Sequence, residues 1–144
     1  MLVHQILKSK ADESVMTVPP GTSIEDILKI LADKRIGTVL VSGDGKTPAG
    51  ILSERDIVRK MAKHGAAVLT AKVEDYMTTK LVTCTRNDNA DGVLSQMTEG
   101  RFRHMPVLED GALVGLISLG DVVKARLAEL AMEKDALEGM IMGH

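Results

Sequence analysis

Two short motifs place a serine three residues before an aspartate, each directly after a run of apolar residues. Ser53 and Asp56 lie in GILSERDIVR, and Ser118 and Asp121 lie in GLISLGDVVK, 65 residues further along the chain. A strand that ends at the serine and a helix that begins there bring together a hydroxyl, a carboxylate and the free N–H groups of the helix. Such a corner can hold a polyol or an anion.

A simpler interpretation of each motif is an ordinary helix cap. The serine would then accept a hydrogen bond from the helix backbone, and the aspartate would balance the helix dipole. For one isolated copy this interpretation would be preferred. The duplication of the whole surrounding unit favours a site, because an internal repeat preserves a structural unit and the corner it carries.

The composition excludes several classes of function. Of the 144 residues 44% are apolar, which is enough for a core without metal or disulfides, and Cys84 is the single cysteine. The net charge is −2, and Tyr76 and Phe102 are the aromatic residues, so we expect no nucleic-acid partner. The four histidines lack ligand-type spacing, so we also expect no metal.

The apolar runs and the N-terminus bear on location. The runs are only a few residues long, far short of the ~20 that span a bilayer. The N-terminus does not resemble a signal peptide. We therefore expect a cytoplasmic protein with no membrane partner.

Hydrophobic periodicity predicts the same order of elements twice. In the first half we expect strands at 14–18, 38–41 and 49–53 and helices at 23–34 and 54–64, the first helix opened by a capping box of Thr22 and Glu25. In the second half we expect strands at 81–84, 104–108 and 113–118, a helix at 89–99, and a closing helix from Gly120 past Leu130. The residues of the closing helix expected to point inward are Val122, Val123, Leu127, Leu130 and Ala131.

Each half is therefore a β-α-β-β-α unit, too small to bury both faces of its sheet alone. The sequence predicts an α+β fold in which the two repeats pack about a pseudo-twofold axis. We place a lead segment of one or two helical turns in 1–13, the repeats at 14–66 and 73–130, and a tail at 131–144. The tail either extends the last helix or serves as a partner contact.

The segments together resemble a tandem pair of CBS domains, also called a Bateman module, of the stand-alone bacterial type. Those that carry the resemblance are TVPPGTSIED at 17–26, GILSERDIV at 50–58, EDYMT at 74–78, RFRHMPV at 101–107 and GLISLGDVV at 115–123. It covers nearly the whole chain, from about Ile6 to Leu130. Each motif is short, but two copies in register are highly specific.

The resemblance implies regulatory binding of an adenosine-containing ligand in the two clefts between repeats, without catalysis. AMP is the first expectation, and ADP, ATP, NAD(H) and S-adenosylmethionine are alternatives. The nucleotide-binding residues implied are Thr17, Val18, Gly37, Thr38, Ser53, Arg55, Asp56, Thr83, Arg103, His104, Met105, Pro106, Ser118 and Asp121. The two aspartates would bind ribose, and the two serines would lie towards the phosphates. Adenine would lie near Thr17 and Val18 in one cleft and near Thr83 and Cys84 in the other.

The two clefts are expected to differ in charge. The resemblance groups Arg55, Arg103 and His104 with Ser53 and Asp56 in a cationic cleft. The opposite cleft, with Ser118, Asp121 and Thr38, would have fewer positive charges. The alternatives are a solvated edge for Arg103, a core-capping imidazole for His104, and a surface salt bridge from Arg55 to Glu54 or Glu25.

The sequence leaves three function classes open. The first is a ligand sensor that forms a homodimer through the helices after each motif and signals to an unknown effector protein by conformational change. The second is a ligand-independent dimerisation scaffold. The third is an enzyme with an unrecognised site, although neither serine lies in a G-x-S-x-G setting.

Overall fold

The structure, a computed structural model, describes residues 1–10 and 15–142. Its helices are α1 (Val3–Ser9), α2 (Ile24–Lys34), α3 (Glu54–His64), α4 (Val73–Tyr76), α5 (Ala90–Gly100) and α6 (Leu119–Ile141), with a 3₁₀ helix at Gly65–Thr70. Its strands are β1 (Thr17–Val18), β2 (Thr38–Val41), β3 (Gly50–Ser53), β4 (His104–Glu109) and β5 (Ala112–Ser118). This order confirms the α+β class.

The described residues form two compact units. The first-repeat unit contains residues 15–82 and 108–114, and the second-repeat unit contains 1–10, 83–107 and 115–142. The lead segment thus belongs to the compact unit of the second repeat, where α1 forms the expected one to two turns and contacts α6.

A three-stranded sheet organises the first-repeat unit. β1 pairs parallel with β2, and β2 pairs antiparallel with β3 so that Thr38 lies opposite Ser53. All four residues of β2 are buried. The core residues around the sheet are Val18, Ile24, Ile27, Leu31, Val39, Val41, Leu52, Ile57, Val68 and Val73.

The start of α2 lies one residue later than expected. Ser23, not Thr22, is the N-cap, and its Oγ accepts from the backbone N of Asp26 at 3.1 Å. The hydroxyl of Thr22 instead donates to the carbonyl of Pro19 at 2.7 Å. The capping box predicted from Thr22 and Glu25 is therefore wrong, because the turn after Pro19 uses the threonine hydroxyl.

The strand predicted at 81–84 is also wrong. Only Cys84 makes a bridge, parallel to Val107, with the Cys84 N–H donating to the carbonyl of Pro106 at 3.0 Å. Just before it, the Leu81 N–H donates to the carbonyl of Thr79 at 3.0 Å. Because of this tight turn, the residues just before Cys84 do not pair with a neighbouring strand.

Helix α6 buries a different face from the one expected. Val122 and Ala125 are buried, whereas Val123, Leu127 and Leu130 are 39%, 62% and 49% exposed. Ala131, the fifth residue predicted to point inward, is exposed as well. The prediction is therefore wrong for all but Val122.

Polar contacts select the inner face of α6. Arg126 Nε lies 2.6 Å from Asp91 Oδ1 of α5, and the N-terminal amine of Met1 lies 2.9 Å from Glu129 Oε1. These pairs turn the side of Arg126 and Glu129 towards the unit. The helix then continues to Ile141, so the tail extends α6.

A close contact joins α1 to β5. Gly115 is buried, and a Cβ placed there would lie 2.9 Å from both terminal methyl carbons of Leu7. This separation is shorter than van der Waals contact, so the absence of a side chain at position 115 allows Leu7 to pack in the core.

We expect Gly115→Ala to lower the free energy of unfolding by about 1–3 kcal/mol through overpacking, measured by urea denaturation. Adding Leu7→Ala removes the clash, so the double variant should lose less than the sum of the two single losses. Gly139→Ala is the matched control, because position 139 has open space and alanine favours a helix. Additive losses at positions 7 and 115 would contradict the contact.

Candidate functional site

Both Ser–Asp motifs form the same reciprocal cap. Ser53 Oγ accepts from the N–H of Asp56 at 3.2 Å, and Asp56 Oδ2 accepts from the Ser53 N–H at 3.0 Å and from its hydroxyl at 2.9 Å. Ser118 Oγ accepts from the N–H of Asp121 at 3.1 Å, and Asp121 Oδ2 accepts from the Ser118 N–H at 2.9 Å. Each cap fixes a carboxylate at the first turn of a helix.

The first amide of each helix is tied to the residue before a buried strand. The Glu54 N–H donates to the carbonyl of Gly37 at 2.9 Å, and the Leu119 N–H donates to the carbonyl of Arg103 at 2.7 Å. The structure therefore assembles two local groups. The first corner consists of Gly37, Ser53 and Asp56, and the second corner consists of Arg103, Ser118 and Asp121.

The remaining predicted residues of the first-repeat unit lie on β1, β2 and α3. Thr17 and Val18 pair with the inner strand β2. Thr38 is buried, and its hydroxyl donates to the carbonyl of Leu52 at 3.0 Å, so this hydroxyl serves the sheet. Arg55 is exposed in the first turn of α3, beside the first corner.

The remaining predicted residues of the second-repeat unit lie on and before β4. Met105 and Pro106 are buried, and His104 is half-buried at the start of the strand. Thr83 is half-buried next to Cys84. The prediction that Arg103 and His104 join Ser53 and Asp56 in one cationic cleft concerns residues of both units and stays a prediction.

Cys84 is chemically inert in this setting. Burial, with a smaller contribution from Asp88, raises the pKa of the Cys84 thiol to about 12. The thiolate, which is the nucleophilic form, is therefore scarce at neutral pH. Cys84 contributes a small apolar side chain to the wall beside Thr83.

Lys10 is a member of the second corner that the sequence analysis missed. Its Nζ lies 3.1 Å from Asp121 Oδ2 and donates to the carbonyl of Leu116 at 2.9 Å. The motifs gave no indication of it, because Lys10 belongs to the lead segment, outside both repeats. It adds a positive charge to the corner for which fewer positive charges were expected.

The second corner favours the ionised form of Asp121. Partial burial by itself raises the pKa of this carboxyl, but hydrogen bonds from Ser118 and Lys10 and the charge of Lys10 outweigh it, so the pKa is lowered from 3.8. The carboxylate is therefore charged and held in place at neutral pH.

An open depression of about 370 Å³ lies elsewhere in the second-repeat unit. Its lining residues are Thr83, Asp88, Asn89, Gly92, Val93 and Gln96. Asn89 caps α5, with its Oδ1 accepting from the N–H of Gly92 at 2.8 Å. The depression connects the predicted adenine-side residue Thr83 with the start of α5.

The described residues contain neither a metal-ligand cluster nor a membrane-spanning helix. Within 1–10 and 15–142, no group of three or more His, Cys, Asp or Glu side chains is placed to hold a metal ion. In the same ranges, no helix has both the length and the apolar character needed to cross a membrane.

Asp121→Asn should remove the ion pair with Lys10 while keeping an oxygen acceptor for the Ser118 N–H. A lowered pKa in the folded state stabilises the fold above the ordinary value of 3.8, and this contribution disappears as pH falls through the folded pKa. We expect a loss of about 0.5–1 kcal/mol at pH 7, after allowing for solvent screening. Urea denaturation at several pH values should show this loss shrinking as pH falls below 3.8.

Asp26→Asn is the matched control for this measurement. Asp26 occupies the same position of α2, but it is exposed, and its bond to Ser23 comes from the backbone N–H. A pH-dependent loss in the control equal to that of Asp121→Asn would contradict the role of Lys10.

Comparison with known proteins identifies the family. A family model for the CBS domain matches residues 6–63 and 73–128. A mitochondrial CBS domain-containing protein of Arabidopsis thaliana is 33% identical over 98% of this chain and 72% of its own length. Another CBS domain-containing protein of Arabidopsis is 28% identical, and this chain spans about a quarter of its length, 24%.

Solved structures show the same fold. The crystal structure of a CBS-domain-containing protein from Agrobacterium tumefaciens has a TM-score of 0.83 and 44% identity, covering 88% of this chain and 99% of that one. A CBS domain pair in complex with 5′-methylthioadenosine and S-adenosyl-L-methionine has a TM-score of 0.77 and 24% identity, covering 90% and 98%. The two ranges matched by the family model each contain one of the Ser–Asp corners. The chain therefore belongs to the CBS domain family and carries two copies of the domain.

Proposed function

We propose that this CBS pair is a non-catalytic regulatory module that binds an adenosine-containing ligand and signals to a partner protein. The repeated Ser–Asp corner carries the proposal. In both repeats a carboxylate, a hydroxyl and a helix start are fixed in the same arrangement by hydrogen bonds of 2.9–3.2 Å. The conformational change on binding is the signal that the partner reads.

The carboxylates retain an acceptor for a sugar. Among residues 1–10 and 15–142, the hydrogen bonds and the ion pair of Asp56 and Asp121 reach Oδ2, and none reaches Oδ1. One carboxylate can accept from two vicinal hydroxyls, as a ribose presents. Each such bond to a charged group contributes roughly 1.5–3 kcal/mol when shielded from water.

Two observations support the adenosine-containing ligand class: the charges at the two corners and the ligands of one solved CBS domain pair. The neighbour solved with 5′-methylthioadenosine and S-adenosyl-L-methionine binds molecules that share an adenosine group. We propose AMP as the first ligand to test, because Lys10 supplies a positive charge and the start of α6 supplies a helix dipole to the second corner. Arg55 supplies a positive charge beside the first corner.

A scaffold without a ligand is the second candidate. The observation that favours it is the completeness of the caps, since each Ser–Asp pair already stabilises its own helix. After ligand stripping, calorimetric titration with AMP, ATP, NADH and S-adenosylmethionine separates the two candidates. Heat from none of the four would favour the scaffold, and turnover of a ligand would favour an enzyme.

Asp56→Ala should weaken binding by about tenfold or more, which corresponds to about 1.4 kcal/mol, because it removes the acceptor for the ribose hydroxyls. Calorimetry measures the affinity. Asp26→Ala is the matched control, since Ser23 and Asp26 form a similar helix start in the same unit. Equal affinities for wild type and Asp56→Ala would refute the proposed role.

A second experiment changes the ligand and uses the wild-type protein. The 2′,3′-dideoxy form of the ligand should bind wild type poorly, because it lacks both hydroxyls. This experiment separates sugar recognition from any effect of Asp56→Ala on the cap of α3. Tight binding of the dideoxy form would show that the aspartates do not bind the ribose.

We also propose that the protein is a homodimer formed through α3 and α6. Val58 of α3 is 66% exposed and Leu127 of α6 is 62% exposed, so each helix presents an apolar side chain that a second copy could cover. A CBS-CP12 protein from cyanobacteria, 24% identical and alike in fold, is hexameric. Sedimentation at micromolar concentration should show a species of twice 15.5 kDa, and a 15.5 kDa species alone would refute the dimer.

We also propose the limits of the two repeats and the location of the protein. We place the repeat boundaries at 14–66 and 73–130, close to the family match at 6–63 and 73–128. We also propose a cytoplasmic location, although the matched Arabidopsis relative is mitochondrial by name.

A further inference from the structure

Helix α6 carries a regular row of exposed side chains on the side away from its own unit. We call this row the seam, and it consists of Val123, Leu127, Leu130, Lys134, Leu137 and Ile141. Its apolar members are 39–84% exposed. The intervals alternate between four and three residues, which is the spacing of the a and d positions of a coiled coil.

The residues of α6 that contact its own unit are different from the residues of the seam. Val122 and Ala125 are buried, and Arg126 and Glu129 make ion pairs with Asp91 and the N-terminal amine. The first half of α6 is thereby anchored to the second-repeat unit. The seam is left as a stripe of apolar surface on a helix that is already formed.

We propose that the seam binds the seam of a second copy of this chain as an antiparallel two-helix coiled coil. The proposal rests on the homodimer proposed above and specifies the contact that α6 makes in it. The opposing pairs, each present twice, are Val123 with Ile141, Leu127 with Leu137, and Leu130 with Lys134. The partner thus supplies an apolar surface that matches the seam in length and spacing.

Lys134 decides the direction of the second helix. In a parallel pair the two copies of Lys134 would face each other within one layer of the interface, which places two like charges in a desolvated position. In the antiparallel pair each Lys134 lies beside Leu130 of the other copy. Its aliphatic stem can cover the leucine while the ammonium remains in water.

The residues that flank the seam favour the same direction. In the antiparallel pair Lys124 of each copy lies opposite Glu138 of the other, which gives two ion pairs, and the two copies of Glu133 meet once at the axis. In a parallel pair Glu133 would face Glu138 of the other copy twice. The antiparallel arrangement therefore has attractive pairs and fewer repulsive ones.

The preformed helix compensates for the short length of the seam. The row covers less than three heptads, and an isolated helix of this length is marginal in water. Because α6 is held by its unit, little ordering entropy is lost when two seams meet. The pair Lys134 and Glu138, with Nζ and Oε1 3.7 Å apart, adds support within the second half of the helix.

The first test is Leu127→Glu, which places a charge on the seam at an exposed position. We expect the dimer dissociation constant from sedimentation equilibrium to rise at least about tenfold, a loss of about 1.4 kcal/mol. Met132→Glu is the matched control, because Met132 is 69% exposed on the same helix but lies off the seam. Both variants should keep the wild-type circular dichroism, since neither residue is buried.

The second test fixes the direction by cross-linking. Leu127→Cys and Leu137→Cys variants are oxidised separately and as a mixture, and the buried Cys84 stays unreactive. An antiparallel seam gives a disulfide in the mixture and none in either variant alone. Disulfides within each separate variant would show a parallel pair and overturn the proposal.

The outcomes separate the seam from the dimer itself. If Leu127→Glu dimerises as tightly as wild type, the seam is refuted while the homodimer stands on other surfaces. If wild type is monomeric at micromolar concentration, both fail. If ligand titration is silent but the mixed disulfide forms, the sensor function fails while the seam stands.

Discussion

The reciprocal hydrogen bonds between serine and aspartate at the starts of α3 and α6 are the constraint on which each repeat depends. They fix where the strand ends and the helix begins, and they turn the first helix amide towards the carbonyl of Gly37 or Arg103. The groups that cap the helix are the same groups that form the candidate site. A ligand would therefore meet a corner that is already organised, which lowers the entropy cost of binding.

The lead segment breaks the equivalence of the two repeats. Within the second-repeat unit, Lys10 pairs with Asp121, Leu7 packs against Gly115, and the amine of Met1 pairs with Glu129. Duplication thus produced two similar corners, and the chain that precedes the first repeat changed the charge and packing of the second.

Helix α6 has one face that contacts its own unit and another that is apolar and exposed. Its polar residues Arg126 and Glu129 point inward because each finds an opposite charge there, and they take the buried face with Val122 and Ala125. The larger apolar residues are then left exposed on the other side. An apolar pattern alone indicates that a face of the helix is buried, whereas the larger apolar residues of α6 lie on the face that the chain leaves exposed.

The sequence by itself determined the repeat, the order of elements apart from the strand predicted at 81–84, the α+β class and the Ser–Asp caps, because turns, periodicity and caps depend on residues within a few positions of one another. Tertiary structure decided the rest. The single bridge at Cys84, the inner face of α6 and the place of Lys10 beside Asp121 all depend on contacts between residues far apart in the chain. Local patterns carry no record of such contacts, since their energy arises only when the chain has folded and excluded water between them.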